Sequence, residues 1–286
     1  MKVSVIIPVY NRASMIRRAV TSVLKQTFDA AEVIVIDDGS EDDPSSTLSD
    51  INDDRLKVIK QKNKGVSAAR NLGIEKSKSK WLAFLDSDDF WLPSKLEKQV
   101  LFHISNPRIL ISQTDEIWKR NGSIVNPKKY HQKQQGEIFE ISLARCMISP
   151  SAVVLHRSLL KEVGQFDPNL EACEDYDLWL RICANHPVGL VSEKLVVKTG
   201  GHEDQLSQKH WGMDRFRVYA LEKLLQQDSL DYGKQKAVVE TLMEKLEILK
   251  NGAQKRGKKA DAKHYDNLFN KYIQKRLEDE IAIYET

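Results

Sequence analysis

Three short apolar runs limit what this chain can fold into more than any other feature. Val3 to Ile7, Glu32 to Ile36 and Trp81 to Leu85 are rich in β-branched or aromatic residues and show no regular polar alternation. That pattern suits strands covered on both faces. Each run stops at a polar cluster: Tyr10-Asn11 just past Pro8, then Asp37-Asp38, then Asp86-Ser87-Asp88-Asp89. Between the first two runs, Ile16, Ala19, Val20, Val23 and Leu24 recur at helical spacing, with Arg17, Arg18 and Lys25 on the opposite face. Asn11 to Ser14 offer the cap for that helix.

The alternation continues. Leu56 to Ile59 predicts a third strand, Lys62 to Gly65 a turn, and Val66 to Glu75 a helix that Gly73 weakens. Pro93 predicts the start of a helix running through His103. Strand, helix and strand of these lengths make right-handed βαβ units, so the region from Val3 to His103 predicts an α/β fold with a doubly wound parallel sheet. Such sheets bind ligands beyond the carboxyl ends of their strands, where the three polar clusters would line one edge.

The acidic cluster is the most telling of the three. Two carboxylates about 5 Å apart at an effective dielectric of about 20 repel by roughly 3 kcal/mol. A divalent cation on a phosphate would hold them together, magnesium or manganese by the hardness of oxygen ligands. The plainer alternative is a solvated loop with helix-capping acids ahead of Pro93.

Beyond Ile109 the pattern loosens. Ile109 to Ser112 and Ala152 to Leu155 read as strands, Asn121-Gly122 as a hairpin turn, and residues 127–135 as a basic loop over the sheet edge. Ser158 to Val163 predicts a helix closed by Gly164. Glu174 to Ile182 predicts an amphipathic helix with acids in its first turn, where the helix dipole favours them. Two short strands, Val188 to Val191 and Leu195 to Val197, precede Gly200 to Gln205.

From Trp211 the spacing is helical. Leu221, Leu224 and Leu225 keep the period, as do Val238, Val239, Leu242, Leu246 and Leu249. Asn251-Gly252 predicts a break before a last helix from Ala260 to Glu280. Lys255-Arg256-Gly257-Lys258-Lys259 reads as a solvated basic turn, or as a contact for anionic lipid.

Bulk properties narrow the function. Lys+Arg 44 against Asp+Glu 41 leaves a net charge of +3, so overall charge gives no reason to expect nucleic acid as partner. Cys146, Cys173 and Cys183 are too few and too scattered for a zinc site or a disulfide framework. Met1 to Pro8 reads as a strand and not as a signal peptide, and no apolar stretch reaches membrane-span length. A cytoplasmic location is expected.

With these residues in view, the chain resembles a family 2 inverting glycosyltransferase of the nucleotide-diphospho-sugar transferase fold. The matching pieces occur in the family's order: Val3 to Asn11, Val35 to Ser40, Asn63 to Asn71, Phe84 to Asp89, Gly164 to Asp167 and Glu174 to Arg181. The resemblance implies a mixed, mostly parallel, Rossmann-like glycosyltransferase A sheet with a C-terminal helical extension. Residues 1–207 would form the catalytic domain, with 1–106 the nucleotide-sugar half and 107–207 the acceptor half. Residues 208–286 form the extension, which could pack on that domain, dimerise or dock at a membrane.

The resemblance also assigns roles. Pro8, Tyr10 and Asn11 would hold base and ribose, and Asp38 would accept a hydrogen bond from a uracil imide. Gly65 would let backbone approach the donor, and Arg70 would reach the base or diphosphate. Asp86, Ser87 and Asp88 match the metal motif, in which one carboxylate binds ribose and another the cation. Asp86 and Ser87 would thus also touch the nucleotide sugar, with Asp88 the first choice as ligand to Mg2+ or Mn2+, and Asp86 and Asp89 next. The ion would assist the leaving diphosphate as a Lewis acid. Asp175 matches the base that inversion requires, and Glu174 would orient it. Asp177 falls on another helix face.

His202 resembles a histidine that closes over the donor, with glycines before it that permit a mobile lid. No arginine directly precedes it, and Lys198 could supply that charge instead. The activity implied is metal-dependent, inverting transfer from a nucleotide sugar, a UDP-sugar first, to a hydroxyl. The acceptor would be a saccharide or glycolipid of cell-surface polysaccharide synthesis, reached from the cytoplasm or the inner membrane face. A non-catalytic sugar-nucleotide scaffold is the alternative. A nucleotidyltransferase would need a glycine-rich, lysine-bearing loop where Tyr10-Asn11-Arg12-Ala13 stands.

Overall fold

The computed structural model describes residues 1–126, 128–201, 210–227 and 230–284. The first half alternates as its periodicity predicts: β1 (Val3–Val9), α1 (Ala13–Leu24), β2 (Glu32–Asp37), the short α2 (Pro44–Leu48), β3 (Leu56–Lys60), α3 (Val66–Lys76) and β4 (Trp81–Phe84). Every residue of β1 and β2 is buried, as unbroken apolar runs demand. β1 pairs in parallel with both β2 and β4, and β2 with β3. β1 runs through Pro8, which pairs opposite Ile36.

The two faces of this sheet are covered differently. Ile16, Ala19, Val20 and Val23 of α1 pack with Val5 and Ile7. A buried Val or Ile contributes about 1.5–3 kcal/mol, so this face alone stabilises the half strongly. On the other face α3 lies so close to β1 that a Cβ on Gly73 would sit 2.3 Å from Ile6 Cγ2. Gly73 weakens the helix by propensity, but close packing requires it. The cap of α1 also differs from expectation. Asn11 takes a left-handed φ of 50°, and Asp42 of the next loop accepts the Ala13 N–H at 2.7 Å.

The second half adds β5 (Phe90–Trp91), α4 (Lys95–Ser105), β6 (Ile111–Arg120), β7 (Ser123–Val125), α5 (Phe139–Ala144), β8 (Val154–His156), α6 (Arg157–Val163), α7 (Glu174–Cys183) and β9 (Gly189–Gly200). The sheet order is β3-β2-β1-β4-β8-β6-β9-β5, with β7 hairpinned on β6. β1, β2, β3, β4, β6 and β9 run one way; β5, β7 and β8 run against them. The sheet is therefore mixed and mostly parallel. The two strands expected near Val188 and Leu195 are one strand, β9, whose pairing with β6 shifts register around Asp115.

Three helices follow: α8 (Asp214–Leu225), α9 (Tyr232–Lys255) and α10 (Lys259–Tyr284). α9 runs straight through Asn251-Gly252, and the turn falls instead at Arg256 to Lys258, where Gly257 has φ 68°. A helical glycine costs about 1 kcal/mol, which burial of Leu246, Leu249 and Ala253 around it outweighs. Leu221, Leu224, Val238, Leu242 and Leu246 share one core with Leu178, Trp179 and Ile182 of α7. Lys223 of α8 also pairs with Asp167 at 2.7 Å and Asp177 at 3.1 Å. The extension packs on the sheet-bearing part. Among the described residues no helix is long and apolar enough to cross a membrane.

Candidate active site

At the carboxyl edge of the sheet the loops after β1 and β2 are stitched together. Asn11 N–H donates to Ser40 Oγ at 2.9 Å, and its side-chain oxygen accepts the Glu41 N–H at 2.9 Å. Pro8 is buried within β1, while Tyr10 is 46% exposed, so the ring offered to a ligand at this edge is Tyr10. Asp37 accepts the Ser40 N–H at 2.8 Å and supports the turn.

Asp38 anchors a different loop. Its Oδ1 accepts from Gln61 Nε2 at 2.6 Å and Lys64 N–H at 2.9 Å, and its Oδ2 from Gly65 N–H at 2.8 Å. Gly65 sits at φ 87°, ψ 164°, a region essentially restricted to glycine. Asp38 therefore fixes the loop that starts α3. Of its acceptor sites, Oδ2 carries one protein donor and keeps room for a second.

Arg70 is held between two acids of the site. It is buried on α3, and its Nη2 donates to Asp86 Oδ1 at 2.8 Å while its Nη1 donates to Glu174 Oε1 at 2.5 Å. Each terminal nitrogen donates one hydrogen bond to a carboxylate, so Arg70 joins the two halves of the site. Phe166 lies under the guanidinium at 5.1 Å. Asn71 fixes that ring's backbone by exchanging two hydrogen bonds with Phe166, at 2.8 and 3.1 Å. Burial acts to push Asp86 up, but Arg70 and then Lys198 outweigh it and hold the carboxyl below its ordinary range. Burial pushes Glu174 up to about 7; Arg70 opposes the shift and Asp175 adds to it.

The remaining acids of the cluster turn to separate partners. Asp88 Oδ2 pairs with Arg12 at 2.9 Å, and Arg18 donates to the Asp88 carbonyl. Asp89 is buried and accepts from Ser151 Oγ at 2.6 Å and from Thr199 N–H at 2.8 Å. Burial pushes Asp89 up to about 8, against Lys198 and with help from Asp88 and Asp86. Asp89 thus ties β4 to β9, while Ser87 is buried beside it. Among the described residues no three His, Cys, Asp or Glu side chains converge as a metal cage. Asp86 and Asp88 still fit the habit of magnesium, which takes one or two carboxylates and completes its shell with substrate phosphates and water.

Across from this loop, Asp175 is half-buried in the first turn of α7. Its Oδ1 accepts the Tyr176 N–H at 2.7 Å, and its Oδ2 the Cys146 thiol at 3.4 Å. Burial, reinforced by Asp175, raises the Cys146 thiol well above its ordinary value.

A profile of the family described as Glycosyl transferase family 2 matches residues 4–164. The chain belongs to that family. Its glycosyltransferase domain is 39% identical over 200 residues to an uncharacterized glycosyltransferase of Rickettsia bellii, covering 68% of this chain and only 28% of that protein. It is 33% identical over 194 residues to the Escherichia coli UDP-Glc:alpha-D-GlcNAc-diphosphoundecaprenol beta-1,3-glucosyltransferase WfgD, covering 66% of this chain and 73% of that one. In fold it is similar to S. aureus TarS 1–349 in complex with UDP-GlcNAc, with a TM-score of 0.72 and 21% identity over 88% of this chain and 75% of the other.

Other residues of this candidate site escape a linear reading. Burial alone would lower the Lys198 ammonium, yet Glu116, Asp89, Asp86 and Asp175 raise it, so this cation belongs electrostatically to both acid groups. Glu116 is buried on β6 with Ser149, Trp118 Nε1 at 3.0 Å and Lys133 at 3.3 Å as partners. Burial acts to push Glu116 up, but Lys133 and Lys198 outweigh it and hold it at about 2. Glu116 and Cys146 carry no local motif; each has a partner some thirty residues away, Ser149 and Asp175. Asp177, on another face of α7, is buried against Arg181 at 2.6 Å. His202 lies outside the described residues.

Proposed function

We propose that this chain transfers a sugar from a nucleoside-diphosphate sugar to an acceptor hydroxyl, with inversion at the anomeric carbon. The observation that carries the reading is the Arg70 bridge. One guanidinium holds Asp86, at the end of β4, and Glu174, next to Asp175 at the start of α7. The loop suited to a diphosphate and the acid suited to an acceptor are thereby kept within one arginine's reach.

In this reading Asp175 takes the proton of the acceptor hydroxyl as that oxygen bonds to the anomeric carbon. The carbon–oxygen bond to the diphosphate breaks on the opposite face, and the nucleoside diphosphate leaves. Tyr176 N–H and the Cys146 thiol orient the Asp175 carboxylate through hydrogen bonds to its two oxygens. Lys198, shared by both acid groups, offers positive charge near the leaving group. Asp86 and Asp88 would hold Mg2+ or Mn2+, which when bound neutralises charge growing on the diphosphate. Tyr10, Asn11 and Asp38 form the edge that would take base and ribose.

The name of the E. coli relative makes UDP-glucose and a diphosphoundecaprenol-linked saccharide the first donor and acceptor to try. TarS, crystallised with UDP-GlcNAc, supports a UDP-sugar by fold alone.

Replacing Asp175 by Asn tests the base. Transfer should fall about 10³-fold, while donor affinity by calorimetry stays near that of the parent. Transfer within about tenfold of the parent would remove Asp175 as the base. Tight donor binding by the parent, with no nucleoside diphosphate released under Mg2+ or Mn2+, would favour a scaffold.

A further inference from the structure

The turn between α9 and α10 gathers positive charge around one exposed ring. Trp211, just ahead of α8, is 44% exposed. Three cations approach its ring: Arg215 Cζ at 4.1 Å, Lys258 Nζ at 4.2 Å and Arg256 Cζ at 5.4 Å. They come from two separate segments of the chain, so folding assembles the cluster. Lys255 and Lys259 flank it and, like Arg256 and Lys258, are exposed.

Two features set this cluster apart from an ordinary solvated turn. The first is rigidity: Arg256 N–H and Lys258 N–H donate to the Ala253 carbonyl at 3.2 and 3.0 Å, and Gly257 N–H donates to Gln254 at 3.0 Å. The second is charge balance. Among the described residues none of Arg215, Lys255, Arg256, Lys258 and Lys259 is ion-paired with a carboxylate. Like charges held around one ring by a fixed turn repel one another, and an external anion relieves that repulsion.

We infer that Trp211, Arg215, Arg256 and Lys258 form a docking surface for the anionic phospholipid headgroups of a bilayer. Tryptophan has an apolar body and one N–H, and settles at the headgroup level of a membrane. Clustered Lys and Arg supply the attraction to anionic lipid. Beside the turn, an open cleft of about 480 Å³ is lined by Gln254, Gly257, Lys259, Ala262, Lys263 and Asp266, the last paired with Lys250 at 3.2 Å. It gives a phosphate-bearing headgroup room next to further cations. The patch is also tied to the catalytic edge: the Met213 carbonyl, two residues beyond Trp211, accepts from the Cys173 thiol at 3.9 Å, and Cys173 caps the helix that bears Asp175. The surface rests on its own charge and ring geometry and does not depend on the transferase reading.

Co-sedimentation of the full chain with vesicles tests it. Vesicles of phosphatidylcholine with about a third phosphatidylglycerol should pull the protein down, and pure phosphatidylcholine should not. Binding should weaken as salt rises. The double variant Arg256→Glu, Lys258→Glu should lose at least about tenfold in partitioning, and Trp211→Ala several-fold, with urea midpoints unchanged because these side chains are exposed or half-exposed. Equal sedimentation on both vesicle types, or unchanged binding of the double variant, would overturn the inference. Displacement from vesicles by inorganic phosphate at unchanged ionic strength would also overturn it, marking a simple anion site. Sedimentation is read without sugar transfer, so a failed glycosyltransferase assay leaves this result standing.

Discussion

Replacing Arg70 by Met removes the one cation that Asp86 and Glu174 share. Arg70 and Glu174 have side chains only 4% and 7% exposed, whereas Asp86 keeps 27%. Breaking a buried ion pair by deleting one partner costs about 3–5 kcal/mol. The orphaned carboxylates, left about 5 Å apart at an effective dielectric of about 20, repel by about 3 kcal/mol. Because Asp86 can recover some water, a net loss near the lower bound, about 3 kcal/mol, is expected.

The loss should depend on pH, and its sign is fixed. Without Arg70 the Glu174 carboxyl, which burial already raises, titrates higher still in the folded chain than in the unfolded one, while Asp86 keeps Lys198 nearby. A raised carboxyl contributes stability below its unfolded pKa and loses it as pH rises through its folded pKa. Glu174 already stands at about 7 with Arg70 in place. Urea unfolding followed by tryptophan fluorescence should therefore show the full deficit near pH 8 and a smaller one near pH 5. Adding Glu174→Gln to Arg70→Met should recover part of it, since the buried carboxyl left without its cation is gone. A deficit under about 1 kcal/mol near pH 8, or one that does not change with pH, would refute the reasoning.

Two further outcomes follow from the packing. Asp89, pushed up to about 8, stabilises the fold in its protonated form, so its contribution is present at acid pH and lost as pH rises through about 8. Asp89→Asn should flatten the fall in thermal midpoint between about pH 5 and about pH 9; an unchanged slope would mean Asp89 is ionised throughout. Gly73→Ala should destabilise by about 1–2 kcal/mol in urea, because overpacking against Ile6 at 2.3 Å outweighs the gain in helix propensity. In an Ile6→Ala background, which removes the Cγ2 that meets the new methyl, Gly73→Ala should cost less, and a more stable Gly73→Ala single variant would sink the argument.

The sheet was legible in the sequence where one physical rule acted alone. β1, β2 and β4 are buried on both faces, so they read as unbroken apolar runs, and the polar clusters at their ends fall on one edge. What stayed hidden depends on partners far along the chain. The bridge that Arg70 makes could not be read locally, because its two carboxylates lie 16 and 104 residues away. Gly73 looked like a flaw because the side chain that excludes a Cβ belongs to Ile6. Asn251-Gly252 looked like a stop because packing around Ala253 has no local signature. Asp38 drew notice as a donor contact, and its grip on the Lys64-Gly65 backbone emerged only from the fold.

The reach of the two cores sets an order on synthesis. The core under β1 and β2 draws mostly on residues up to Val100, so it can close early as the chain leaves the ribosome. The core around α7 takes in Leu221, Leu242, Leu249 and Tyr272, which emerge later. At about 5–20 residues per second, the gap between Cys183 and Tyr272 lasts roughly 5–20 s. Through that interval the helix that carries Asp175 has its earlier neighbours, Phe166 against Trp179 among them, but lacks the cover that Leu221, Leu242 and Leu249 bring. The α7 side of this protein is thus the part that a nascent-chain chaperone would meet.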